Sequence, residues 1–395
     1  MKITDVKTWV VGNPPPHFGG RYFIFVKLTA DNGVAGVGEV YAATLGPQVI
    51  AKMIEDVAQR FVIGADPFAI EKLWRRVYGS GYNLRPDVSL MGVLSGLEMA
   101  CWDIIGKELE QPVYQLLGGK VHDKLRAYTY LYPAAEDHDH AVYRDPDVAA
   151  ARALEYVEQG FTAVKFDPAG AYTIYDGRQP GRAELARSEL FMQRIREAVG
   201  DRADLLFGTH GQFTAAGAIR LARRLERYDP LWFEEPTPPE NPREMAKVAR
   251  QTTIPIATGE RLTTKYEFAR VLEAGAAAIL QPALGRVGGI LEAKKIAALA
   301  ETYYAQIAPH LYCGPIAGAA NVQLAACTPN FLILEGIETW GGFHADILKN
   351  PMQWQNGYII PPTEPGLGVE LNEAVAEANP YRGAELHLEM SEHTI

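Results

Sequence analysis

Apolar positions along the chain change their period twice. Near the N-terminus two runs of strand character, Tyr22–Thr29 and Val34–Val40, flank Asp31, Asn32 and Gly33, the residue types of a tight turn, and so predict a β-hairpin. A helical spacing follows, in which Leu94, Leu97, Cys101 and Ile104 or Ile105 recur within Gly92–Leu109 and form one buried stripe. From about Lys124 short apolar runs alternate with amphipathic helices. The strands expected are Leu125–Tyr132, Ala163–Phe166, Asp204–Phe207, Leu231–Glu234, Pro255–Ala257, Ala277–Gln281, Ala305–Ala308 and Phe331–Glu335. Eight strands in such an alternation predict a β/α barrel behind a small first domain.

The helices between these strands carry boundary residues. Asp145 and Pro146 open one that Gly160 closes, Thr214 opens a second that ends near Asp229 and Pro230, and Asn241 and Pro242 open a third. In the second, Ala218, Leu221, Ala222, Leu225 and Tyr228 share a face, while Arg220, Arg223, Arg224 and Arg227 lie largely on the other, a solvated one. The tail from about Gly357 is rich in turn residues and then strand-like, so it is expected to leave the barrel and complete the first domain. Pro14–Arg21 is a Pro/Gly-rich loop that holds His17 and Arg21 and has the length of either a lid or a plain connector.

Composition narrows the class. A chain of 395 residues with 48% hydrophobic content supports a sizeable core, and a net charge of -10 argues against nucleic acid or an anionic membrane as the main partner. Cys101, Cys313 and Cys327 show no CxxC spacing and suit reduced core thiols. The first residues lack a signal-peptide apolar region, and no run approaches the roughly 18 apolar residues of a membrane span. A cytoplasmic protein is expected.

Chemistry concentrates at the C-terminal ends of the expected strands, which in a barrel line one mouth. Lys165 and Asp167 follow the second strand, His210 the third, Glu234 the fourth, Glu260 the fifth, His310 the seventh and Glu335 the eighth. Seven such groups at one mouth are costly to bury without a ligand or cation. Glu234 and Glu260 suit a hard divalent cation such as Mg²⁺, which would leave charge available to a substrate carboxylate. Lys165 and His310, from nearly opposite sides of the ring, could then move a proton α to that carboxylate, and Glu335 could donate a hydrogen bond to the same oxygen. The third strand, where a third carboxylate would be sought, ends in Gly208.

The sequence resembles the enolase superfamily, in particular its mandelate racemase and acid-sugar dehydratase branch, over essentially the whole chain. The motifs that carry the likeness are Val93–Lys107, Pro112–Gly119, Ala163–Asp167, Trp232–Pro236, Ile256–Glu260, Leu280–Ala283 with Gly288 and Gly289, and Ala308–His310. The resemblance implies an α/β fold: a modified (β/α)₇β TIM-like barrel spanning 124–356, under an α+β capping domain spanning 1–123 and completed by 357–395. It places His17 and Arg21 on a substrate-selecting loop, and gives Glu234 and Glu260 as metal ligands, with Lys165, His310 and Glu335 as catalytic groups. Asp167 is expected to orient Lys165 or touch a substrate hydroxyl.

Three departures from the family pattern stand out. Gly208 replaces the Asp that usually supplies the first metal ligand, Lys165-Phe166-Asp167 replaces the Lys-x-Lys of racemases, and Ala283 replaces the Asp that commonly partners the seventh-strand His. For the missing ligand three repairs are open. His210 ligates the metal as a third ligand beside Glu234 and Glu260, a water fills the place and frees His210 as a general acid, or metal binding is lost. The resemblance implies a metal-dependent dehydratase of a sugar acid, using Mg²⁺ or with Mn²⁺ or another divalent metal, and a homo-oligomer. Racemisation, epimerisation, lactone cycloisomerisation and a non-catalytic ligand-binding role are the competing readings. The segment Ala169–Arg182, with Tyr172, Tyr175, Asp176 and Arg178, is either a set of lid contacts or a solvated loop.

Overall fold

The computed structural model describes residues 1–137 and 139–392. The N-terminal unit is an antiparallel sheet of β1 (Ile3–Gly12), β2 (Tyr22–Ala30) and β3 (Ala35–Val40) in the order β1-β2-β3, with helices α1 (Pro47–Phe61), α2 (Ile70–Tyr78) and α3 (Val88–Glu108). The expected hairpin is β2–β3, in register from Ile24 opposite Val40 to Thr29 opposite Ala35, and Gly33 takes a positive φ of 86° in its turn. Asp87 caps α3 by accepting from the backbone N–H groups of Ser89 and Leu90. The helix lies directly on β3, because a β-carbon on Gly38 would overlap the Gly96 carbonyl oxygen. By length and composition α3 could cross a membrane, yet 78% of its apolar window is buried, as befits the core helix of this unit.

Eight parallel strands follow: β4 (Leu125–Tyr130), β5 (Ala163–Phe166), β6 (Asp204–Gly208), β7 (Trp232–Glu234), β8 (Ile256–Thr258), β9 (Ile279–Leu280), β10 (Gln306–Ile307) and β11 (Leu334–Gly336). Each pairs with the next from β4 to β10, β11 returns to β4, and a bridge from Ile307 to Phe331 closes the ring. A helix follows each of the first seven strands, which gives the (β/α)₇β order. The strands β9 and β10 are shorter than the apolar pattern suggested. Pro282 and Pro309 stand just beyond them and lack the N–H that would extend the ladder.

After β11 the hairpin of β12 (Gln353–Gln355) and β13 (Tyr358–Ile360) pairs antiparallel with the start of β4, so the tail still belongs to the barrel sheet up to Ile360. The helix Glu373–Ala378 then reaches the N-terminal sheet, where Glu373 meets Lys27 at 2.6 Å and Lys7 at 3.4 Å. Residues 393–395 of the expected tail lie outside the described residues.

Buried carboxylates of the first unit dock it on the barrel. Glu98 of α3 accepts from the N–H groups of Ile290 and Leu291 at 2.7 and 2.9 Å, at the N-terminus of the barrel helix Ile290–Glu301. Glu39 of β3 does the same for Pro315–Ala326, through Gly314 and Ala317 at 2.5 and 2.8 Å. Each closes open backbone donors where the helix dipole favours negative charge.

Candidate active site

The strand ends converge as expected, and the side chains form one linked group. Lys165, on β5, places Nζ 2.5 Å from Glu234 Oε1 and 3.6 Å from Glu335 Oε1. The other oxygen of Glu234 accepts from Trp232 Nε1 at 3.1 Å and Gln281 Nε2 at 2.7 Å. Glu335 accepts from the Leu311 N–H at 2.8 Å. Burial lowers the Lys165 pKa, but the Glu234 and Glu335 carboxylates outweigh it and hold the ammonium well above its ordinary value. Burial pushes Glu234 up, against the pull of Lys165.

Two imidazoles flank Glu260. His210 Nε2 lies 3.9 Å from Glu260 Oε1, and His310 Nε2 lies 3.5 Å from Glu260 Oε2 and 4.0 Å from Glu335 Oε2. Their surroundings differ. His210 Nδ1 faces Asp167 Oδ2 at 2.8 Å. Burial lowers the His210 pKa, but Asp167 and Glu260 raise it further, to about 9. His310 Nδ1 is buried with no hydrogen-bond partner among the described residues, Ala283 standing beside it in the ladder, and burial leaves its pKa below the ordinary 6.5 despite Glu260 and Glu335. The two histidines, the Lys165 ammonium and the Arg261 guanidinium draw Glu260 well below the usual carboxylate range, against its burial.

These groups face a cavity of about 440 Å³ whose walls are largely aromatic: Tyr130 and Tyr132 from the first barrel strand and its end, with Tyr41, Tyr143, Tyr172 and Tyr312. Burial, then the charge of Asp167, keeps the Tyr130 hydroxyl protonated well above its ordinary range. The tyrosines were legible as the alternation Tyr128, Tyr130, Tyr132 but were not singled out, because tyrosine is equally a core residue. Tyr172 packs on His210 with ring centroids 4.6 Å apart, so the 169–182 segment does supply a wall.

Neither His17 nor Arg21, the expected substrate contacts, lines this cavity, although the charge of Arg21 acts on Tyr312 in its wall. His17 turns Nδ1 onto the Asn13 carbonyl at 2.5 Å, and Arg21 is exposed. Their loop reaches the site through Phe18, which stacks on Tyr132 at 4.4 Å. The C-terminal tail forms the rest of the roof: Leu388, Glu389 and Ser391 line the cavity, and the Ile174 N–H donates to the Ser391 carbonyl at 3.0 Å. His387 anchors that strap between the Tyr22 and Tyr312 carbonyls at 3.1 and 2.8 Å.

The donor set fits a divalent cation in charge and chemistry. Glu260 Oε2 and Asp167 Oδ1 are buried without a hydrogen-bond partner among the described residues. Such orphaned carboxylate oxygens are what a hard cation satisfies. Among the described residues no three donors already stand as a closed ligand cluster: Glu234 turns toward Lys165 and Asp167 toward His210, and Glu260 lies between two imidazoles.

A cap over a (β/α)₇β barrel, with two histidines, a lysine and carboxylates gathered at the strand ends, is the arrangement of a barrel enzyme. Residues 18–118 match the mandelate racemase / muconate lactonizing enzyme N-terminal domain and residues 148–375 the enolase C-terminal domain-like family. The chain belongs to the mandelate racemase / muconate lactonizing enzyme family. It is 36% identical to a D-xylonate dehydratase of Haloferax volcanii over 98% of this chain and 90% of that one. It is 38% identical to a D-galactonate dehydratase of Ralstonia nicotianae over 95% and 93% of the two chains. A solved mandelate racemase/muconate lactonizing enzyme-like protein from a Roseovarius species superposes with a TM-score of 0.97 at 55% identity, covering 100% of this chain and 99% of that one. The expected hydro-lyase class agrees with the names of the two dehydratases.

Proposed function

We propose that the chain is a divalent-metal-dependent dehydratase of a sugar acid, of aldonate or aldarate type, acting in the cytoplasm. The observation that carries this reading is the pair of imidazoles across Glu260 whose proton affinities are driven in opposite directions. Burial keeps His310 neutral, the state of a base, while Asp167 and Glu260 keep His210 charged, the state of an acid.

In this reading Lys165 holds the substrate carboxylate with its ammonium, itself fixed by Glu234 and Glu335. His310 takes the proton from the carbon next to that carboxylate, and the electron pair moves into an enediolate. Glu234 and Glu260 would hold a divalent cation, which would supply positive charge that lowers the cost of this enediolate. His210 then gives its proton to the β-hydroxyl, the C–O bond breaks, and water leaves. The enol tautomerises to a 2-keto-3-deoxy acid. The roof of Phe18, Tyr172 and the 388–391 strap excludes bulk water from these steps.

Incubation with a sugar-acid library plus Mg²⁺ or Mn²⁺, read by a 2-keto-acid assay, tests the reading. Turnover of at least one member is expected; no turnover by protein shown to hold metal would sink it. Epimerisation is kept as a second reading because Lys165 and His310 each reach a different oxygen of Glu335, at 3.6 and 4.0 Å. Solvent deuterium entering the α-position without formation of a keto acid would favour it.

A further inference from the structure

The ladder sets Asp167 and Gly208 on one level. Phe166 is opposite Phe207, and Gly208 is opposite Glu234, so positions 167, 208 and 234 are neighbouring rungs at the mouth. Side chains at one level of a parallel sheet point the same way. A β-carbon on Gly208 would lie 3.0 Å from Asp167 Oδ1 and 3.6 Å from Glu234 Cβ. The backbone of Gly208 does not need glycine, since its φ is not positive, and a β-carbon there would be crowded only by the Asp167 carboxylate. The Asp167 carboxylate fills the volume into which a side chain at 208 would project. Its side chain is 8% exposed, and Oδ1 has no hydrogen-bond partner among the described residues, while Oδ2 holds His210.

We infer that the third metal ligand of this barrel is Asp167, moved one strand over from position 208, so that Asp167, Glu234 and Glu260 bind the divalent cation and His210 does not. This rests on the metal-dependent reading above. It accounts together for the glycine at 208, the carboxylate at 167 and the orphaned oxygen between them. Three carboxylates also suit a hard cation better than two and an imidazole. Asp167 Oδ2 occupies the Nδ1 side of His210, which keeps that nitrogen off the metal.

Manganese binding to the purified full-length protein tests it, by calorimetry and by electron spin resonance of the bound ion. Loss of an outer partner of a ligand costs about 10–100-fold in metal affinity. Asp167→Asn is therefore expected to lose more than about 100-fold, and His210→Gln, which removes only an outer partner of Asp167, no more than about 10–100-fold. Spin-echo modulation from a directly bound nitrogen is expected to be absent in the wild-type protein. Gly208→Asp alone crowds Asp167 and weakens binding, whereas Gly208→Asp with Asp167→Gly returns a carboxylate to the site and restores affinity to within about tenfold of wild type. Thermal unfolding of each variant separates misfolding from lost ligation. A directly coordinated nitrogen, or Asp167→Asn binding as wild type, or failure of the well-folded exchange variant to bind overturns the inference and leaves the metal-dependent reading standing. A wild-type protein that binds no divalent cation overturns both.

Discussion

Lys165 Nζ lies 2.5 Å from Glu234 Oε1, and neither side chain is more than 3% exposed. Buried pairs of this kind add little as a pair, but removing one partner strands the other charge. Lys165→Met is therefore expected to destabilise the fold by about 3–5 kcal/mol and to abolish turnover. Lys165→Met combined with Glu234→Gln should recover most of the stability and none of the activity. Urea denaturation beside activity measurement checks this; a single variant as stable as wild type would show that the pair is not structural.

Opposed protonation of the two histidines gives a pH profile. His310 lies below the ordinary 6.5, so it gains a proton only in acid, and activity falls there. Without metal His210 is held up to about 9, against its burial, by Asp167 and Glu260. A cation on those carboxylates lowers it, so activity falls again as pH rises, below that value, and the acid is lost. A bell-shaped pH profile follows for kcat/KM. His210→Gln should lower kcat by about 10²–10⁴ and remove the basic limb. A basic limb that survives in that variant belongs to another group.

Gly20 touches the tail. Its φ is +107°, and a β-carbon there would overlap the His387 ring, which anchors the 388–391 strap over the cavity. Gly20→Ala should free the strap, raising KM by roughly tenfold with a smaller effect on kcat, since the strap shapes binding and touches no proton in transit. Limited proteolysis should then cut near residue 387 in the variant and spare the wild type.

Glu98 closes the N-terminus of a barrel helix from the first domain, through Ile290 and Leu291. Glu98→Ala opens these buried donors and should cost about 1–3 kcal/mol. Thermal unfolding measures it. Glu98→Gln, which keeps one acceptor oxygen, should lose less.

Much of the architecture was legible because period is a local property. The hairpin at Asp31–Gly33, the stripe Leu94–Leu97–Cys101 and the alternation of short apolar runs with capped helices each follow from residues close in sequence. The convergence of Lys165, His210, Glu234, Glu260, His310 and Glu335 was legible too, since a barrel sends every strand end to one mouth. His17 and Arg21 were placed by their loop alone, and a loop's direction is set by what it packs on. Here Phe18 takes the contact with Tyr132 while His17 turns back to Asn13.

The sequence by itself determined which residue types stand at the strand ends and that position 208 offers no ligand. Only the tertiary structure decided what fills that space, because ladder register and side-chain reach arise between strands that are 41 residues apart at Asp167 and Gly208. It also decided that the two histidines differ. Asp167 stands at one imidazole and Ala283 at the other, with Arg286 acting on the second, and burial makes these differences in neighbouring charge large enough to move the two proton affinities in opposite directions.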